Sequence, residues 1–117
     1  MSKEPPAHLH QLIINRASID DIRNHIEQSP ENINKPDKQG NTALHLAIIH
    51  QQPIKVMHKI LQAGADINAL NSAGHTALYL AVLNHRYQVA RFLLDQGADL
   101  ALSQLTPLHQ AVLNDQG

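Results

Sequence analysis

The chain has 117 residues, 43% of them hydrophobic, with nine Lys and Arg against ten Asp and Glu and no cysteine. This fits one folded domain, and no apolar run approaches the roughly 18 residues of a membrane span. Near-neutrality argues against a surface built for polyanions. The lack of cysteine removes disulfides, thiolate metal sites and cysteine nucleophiles, and permits a reducing compartment.

Residues 1–7, MSKEPPA, carry no apolar segment behind their charge and are expected as a flexible lead-in rather than a secretory signal. Beyond them the chain repeats itself. NTALHLAIIH (41–50) returns as HTALYLAVLN (75–84) and as LTPLHQAVLN (105–114). Gly40 and Gly74 are 34 positions apart, as are Thr42 and Thr76, and Gly64 and Gly97 are 33 apart. A period of this size marks stacked supersecondary units. The segment 8–36 reads as a degenerate first unit. Leu9, His10, Leu12 and Ile13 align with Leu44, His45, Ala47 and Ile48, and Ile33-Asn34 aligns with Ile67-Asn68. Ser18 is placed to cap a second helix carrying Ile19, Ile22 and Ile26, with Asp20 and Asp21 set against its dipole.

Two fuller units follow, at 37–70 and 71–102. Asp37-Lys-Gln-Gly40 and Asn71-Ser-Ala-Gly74 are turn sequences, with Asp or Asn first and Gly fourth. Thr42 and Thr76 precede apolar runs and predict helix caps. Leu44, Ala47 and Ile48 fall on one helical face, as do Leu78, Ala81 and Val82; the alanines allow a neighbouring helix to approach. A second helix follows in each unit, with Ile54, Met57, Ile60 and Leu61 inward in the first, and Val89, Ala90, Leu93 and Leu94 in the second. Gly64 and Gly97 supply the left-handed residue that ends it. Such a pair cannot bury its apolar surface alone, so the fold expected is an all-α solenoid of stacked helix-turn-helix units joined by hairpin or turn loops. Between Gly97 and Thr106 there are nine steps, against twelve between Gly64 and Thr76, so the segment 103–117 is expected as a shortened unit with a first helix only. Either the half-unit serves as a cap or the chain is a piece of a longer repeat protein; its uncovered Leu108, Ala111 and Val112 favour the latter, and would also allow weak end-to-end association of otherwise monomeric chains.

Asp-x-x-Gly-x-Thr-Ala-Leu-His-x-Ala, followed by Leu-x-x-Gly-Ala-Asp-x-Asn, resembles the ankyrin repeat, and Thr106-Pro-Leu-His109 matches its signature tetrapeptide unchanged. The resemblance spans 37–114. It implies that His45 and His109 hydrogen-bond backbone between repeats, with Tyr79 replacing that histidine in the second unit. His85 stands where the family usually has glycine, so backbone strain is expected there.

Nine histidines invite a metal or acid–base reading, but no two are four apart and no His-Glu-x-x-His is present. A zinc site would need ligands converging from several repeats. Neither a Gly-rich phosphate loop nor a nucleophile elbow occurs, and the aromatics are only Tyr79, Tyr87 and Phe92, so neither catalysis nor nucleic-acid binding is expected, and no cofactor.

Recognition of another protein or peptide remains. The resemblance places contacts on the concave side, at the tips Lys38, Gln39, Asn41, Ser72, Ala73 and His75 and at the first-helix positions Ile49, His50, Leu83, Asn84, Leu113 and Asn114. Helical phase independently turns Ile49, Leu83 and Leu113 away from the stacking face, each followed by His or Asn; apolar stripes in a polar rim are typical of partner sites. The competing expectation is that a second helix or a turn covers them. In the family an asparagine like Asn68 is open to hydroxylation by a cellular oxygenase. Abundant Ile, Gln and Asn suggest an AT-rich genome. A cytoplasmic setting is expected, or a host cytosol if the chain is a secreted bacterial effector.

Overall fold

The structure, a computed structural model, describes residues 8–100. Three helix pairs run in order: α1 (His8–Ile14) with α2 (Ile19–Gln28), α3 (Ala43–Ile49) with α4 (Ile54–Gln62), and α5 (Ala77–Leu83) with α6 (Tyr87–Asp95). A short 3-10 turn, Pro30–Asn32, follows α2. First helices stack on one another, α1 on α3 and α3 on α5, while α2 packs on α4. The loops expected as hairpins are turns, and no strand occurs among the described residues.

The helices begin and end as the side chains dictate. Ser18 Oγ accepts the Asp21 amide at 3.1 Å, and Thr76 Oγ1 accepts the Tyr79 amide at 3.1 Å, so both cap as the spacing predicts. Gly64 and Gly97 are left-handed, with φ of 101° and 103°. Each closes a Schellman motif: Ala65 N–H reaches Ile60 O and Ala98 N–H reaches Leu93 O. The first helices close in the same way, but on Arg16, Gln51 and His85, whose φ values are 58°, 57° and 60°. The strain expected at His85 is therefore present, and it recurs in every described repeat.

One apolar core runs through the stack. Ile13, Ile22, Leu44, Ile48, Met57, Ile60, Leu78 and Leu93 are fully buried, as are the small Ala47 and Ala81 on the stacked first helices. Val56 joins this core, whereas Ile54, Leu61 and Leu94, expected inward, are half-buried. Gln52 reads as a polar loop residue but is buried; its Nε2 donates to the Ile13 carbonyl at 2.7 Å and caps α1 from the next repeat. Among the described residues no helix is long and apolar enough to cross a membrane; helices of 7 to 10 residues are marginal alone and need stacking for their stability.

Candidate functional site

The junctions between repeats occupy many of the polar side chains. Asp37 Oδ1 accepts the Gln39 and Asn41 amides at 2.8 and 2.9 Å; Asn71 Oδ1 accepts the Ala73 and His75 amides at 3.0 Å each. These Asx turns hold the tips, and Ser72 N–H donates to Gln39 O at 2.9 Å to join one tip to the next. Gly40 is needed at that joint: a Cβ there would lie 2.6 Å from Ser72 N.

His45 locks the same junction. Its Nδ1 accepts the Thr42 amide at 3.1 Å, with the Thr42 hydroxyl equally close, and its Nε2 donates to the His75 carbonyl at 2.9 Å. Accepting at Nδ1 and donating at Nε2 fixes one neutral tautomer. Burial holds the pKa of this ring below the ordinary histidine value, against the pull of the His75 and Ala69 carbonyls and of Asp37. One repeat earlier His10 keeps half of this lock: its Nε2 lies 2.8 Å from Lys35 O, while its buried Nδ1 has no partner among the described residues. Asn34 bridges repeats further along, donating to Gly64 O at 3.1 Å and accepting the Asp66 amide at 2.7 Å; Asn68 Oδ1 accepts the Asp99 amide at 2.9 Å in turn. The candidate for hydroxylation is thus a bridging residue.

The residues expected to face a partner divide into three groups. Lys38, Gln39, Ser72 and Ala73 are exposed at the tips. Asn41 does not belong with them. It is only 8% exposed, and its Oδ1 accepts Asn71 Nδ2 at 2.9 Å, so the turn rotates it into the junction; this corrects its place among the contact residues. His75 is half-buried, its ring stacked 4.3 Å from that of Tyr79. On the first helices Ile49 and Leu83 are 40% and 49% exposed, so neither second helix nor turn covers them. His50 beside Ile49 is half-buried, and Asn84 beside Leu83 is exposed with its amide on the Leu80 carbonyl. Leu113, Asn114, Thr106 and His109 lie outside the described residues.

Sequence reading missed one member of this row. Ile14, the last residue of α1, is 38% exposed and occupies the position of Ile49 and Leu83. Extending the Leu9–Ile13 alignment by one residue would have found it. The row is therefore Ile14, Ile49 and Leu83, one at the C-terminal end of each first helix. Arg16 sits at its edge, Nη2 on the His50 carbonyl at 2.9 Å. Among the described residues no group of three or more His, Asp or Glu side chains could hold a metal ion.

Stacked helix pairs, interlocked through turn tips and a buried histidine, with an exposed row repeated on successive first helices, define a helical repeat solenoid. The family follows from direct comparison. A family model for ankyrin repeats in three copies matches residues 55–117, more than half of the chain, and a single-repeat ankyrin model matches residues 39–69. The chain belongs to the ankyrin repeat family, whose domains are generally protein–protein interaction modules and typically non-catalytic. No curated protein matches it.

Proposed function

We propose that the chain is a non-catalytic module that binds a protein or peptide across its first-helix ends and turn tips. One observation carries this reading. Ile14, Ile49 and Leu83 stay exposed at one repeat position, although the residue preceding each of them is buried. A row of large aliphatic side chains held in water by a rigid stack, edged by Asn15, His50 and Asn84, has the composition of a partner site.

The test is a peptide-display selection against the wild-type chain, followed by binding of the selected peptides to an Ile49→Gln/Leu83→Gln variant. Gln suits a helix end better than Asp, whose charge opposes the dipole there. The expected result is loss of at least tenfold in affinity, because truncated contact residues at such centres cost 1–3 kcal/mol or more, with melting changed little. Peptides that bind both proteins equally would move the site elsewhere. A variant that no longer folds would assign the two side chains to the core.

A further inference from the structure

The face proposed above has a spacing and a charge that select its occupant. α1 packs directly on α3 and α3 on α5. Packed helices lie about 8–10 Å apart, so Ile14, Ile49 and Leu83 recur at about that interval. On an α-helix, residues seven apart are two turns, or about 10.5 Å, apart on the same side. An extended strand presents same-side residues every ~6.6 or ~13 Å, and neither matches. A polyproline helix repeats every ~9.3 Å but docks in aromatic-lined grooves. Here Tyr79 is the sole Tyr, Phe or Trp on a described first helix, and it is half-buried against His75.

Among the described residues, the exposed charges of the first-helix ends and turn tips are positive. First helices α3 and α5 carry none. Arg16 and Lys38 are exposed, and the Arg16 guanidinium donates to the His50 carbonyl rather than to a carboxylate. Among the described residues, the one carboxylate of the first helices and turn tips, Asp37, has an oxygen already accepting two backbone amides. The exposed carboxylates, such as Asp20, Glu27 and Asp95, sit on second helices or in the loops beyond them.

We propose that the occupant is an amphipathic α-helix of a partner protein, laid across the first helices with apolar side chains at seven-residue spacing on Ile14, Ile49 and Leu83 and with acidic residues facing Arg16 and Lys38. This rests on the reading that the face binds a protein. The charge pairing supplies orientation and association rate, and the aliphatic row supplies affinity.

Three labelled synthetic peptides test it by fluorescence anisotropy: a helix with Leu every seventh residue and Glu flanks, the same helix with Lys flanks, and a proline-rich peptide with Leu every third residue. The Glu-flanked helix is expected to bind about tenfold more tightly than the Lys-flanked one and to weaken as salt rises. Arg16→Gln and Lys38→Gln should each weaken it by about two- to fivefold, as exposed ion pairs do. Ile49→Gln/Leu83→Gln should remove it. Failure of the Glu-flanked helix to bind overturns the inference, as does binding indifferent to Ile49 and Leu83. Equal or tighter binding of the Lys-flanked or proline-rich peptide overturns it too. In the last case loss of that binding in the Ile49/Leu83 variant leaves the binding face standing, and the display selection decides the face independently.

Discussion

Replacing His45 by Gln separates the two hydrogen bonds that this ring makes. His45 is the third residue of α3, three after the capping Thr42. Gln is favoured at that position because its amide oxygen can reach back to the capping residue's N–H. The bond from Thr42 N–H to Nδ1, 3.1 Å, thus has a substitute, whereas the bond from Nε2 to His75 O, 2.9 Å, does not. The residue is 1% exposed, so the carbonyl left behind loses a buried partner. A lost bond of this kind costs about 1–2 kcal/mol, and the smaller side chain adds to it. For a domain of this size that lowers Tm by roughly 4–16 °C.

The same geometry sets a pH dependence. Protonation would put a second hydrogen on Nδ1, facing the Thr42 N–H, and a charge in a dry junction. Burial therefore lowers the folded pKa below the 6.5 of a free histidine. Above pH 6.5 the ring is neutral in both states and its stabilisation is complete. As pH falls from 6.5 toward the lowered folded value, the unfolded chain takes up a proton that the folded chain refuses, and stability falls by up to about 1.4 kcal/mol per pH unit. Below the folded value the loss is complete and the slope disappears. The chain has eight other histidines, so the quantity to read is the difference between wild type and His45→Gln in urea midpoints from pH 7.5 to 5. The gap should narrow as pH falls. Parallel curves would mean that His45 takes up its proton as readily folded as unfolded, and the neutral lock would be wrong.

Four further substitutions test the junctions and the helix ends. Gly40→Ala should destabilise by about 2–4 kcal/mol, since it adds strain at φ 78° to a contact 2.6 Å from Ser72 N, whereas Gly74→Ala, at φ 81° with open space around it, should cost only about 1 kcal/mol in urea denaturation. Asn34→Ala removes a donor to Gly64 O and an acceptor from Asp66 N, and should lower stability by about 1–2 kcal/mol, with faster amide exchange at Asp66. Gln51→Gly should raise stability by about 0.5–1 kcal/mol, because a left-handed non-glycine residue is strained and this side chain is exposed; a lower Tm would contradict that.

The repeat unit itself was readable because each of its signals is local. Thr76 caps a helix three residues from its partner, Asp37 and Asn71 close turns within four residues, and Gly64 ends the helix just before it. What crosses between repeats was not readable in the same way. Gln52 looks like a loop residue until the Ile13 carbonyl of the preceding repeat is placed beside it. Asn41 occupies a tip position, yet its side chain is claimed by Asn71 of the following turn. The left-handed conformations of Arg16 and Gln51 carry no glycine to announce them; only the Schellman bonds from Ala17 N–H to Leu12 O and from Gln52 N–H to Ala47 O impose them. In the row of Ile14, Ile49 and Leu83 the last two were visible from helical phase, while the first was hidden by the degeneracy of its repeat.

Those strained residues lie on one side of the stack for a physical reason. Every described helix of the last two pairs closes by the same Schellman pattern, and the second helices meet it with Gly64 and Gly97, where a positive φ costs little. The first helices meet it with Arg16, Gln51 and His85, each two residues beyond a member of the exposed row, at about 1–2 kcal/mol apiece. Glycine would close these helices equally well, so closure alone does not explain the side chains. Two of them reach their surroundings: Arg16 donates to the His50 carbonyl, and His85 Nδ1 lies 2.9 Å from the Tyr87 hydroxyl. Strain that persists beside a surface is the pattern expected where side chains contribute to recognition. The stack can carry it because its stability comes mainly from the buried faces of the same helices, whereas the side chains of Arg16, Gln51 and His85 are exposed. Along each first helix the buried positions hold one repeat to the next, and the exposed residue of the last turn is the one that the proposed partner site uses.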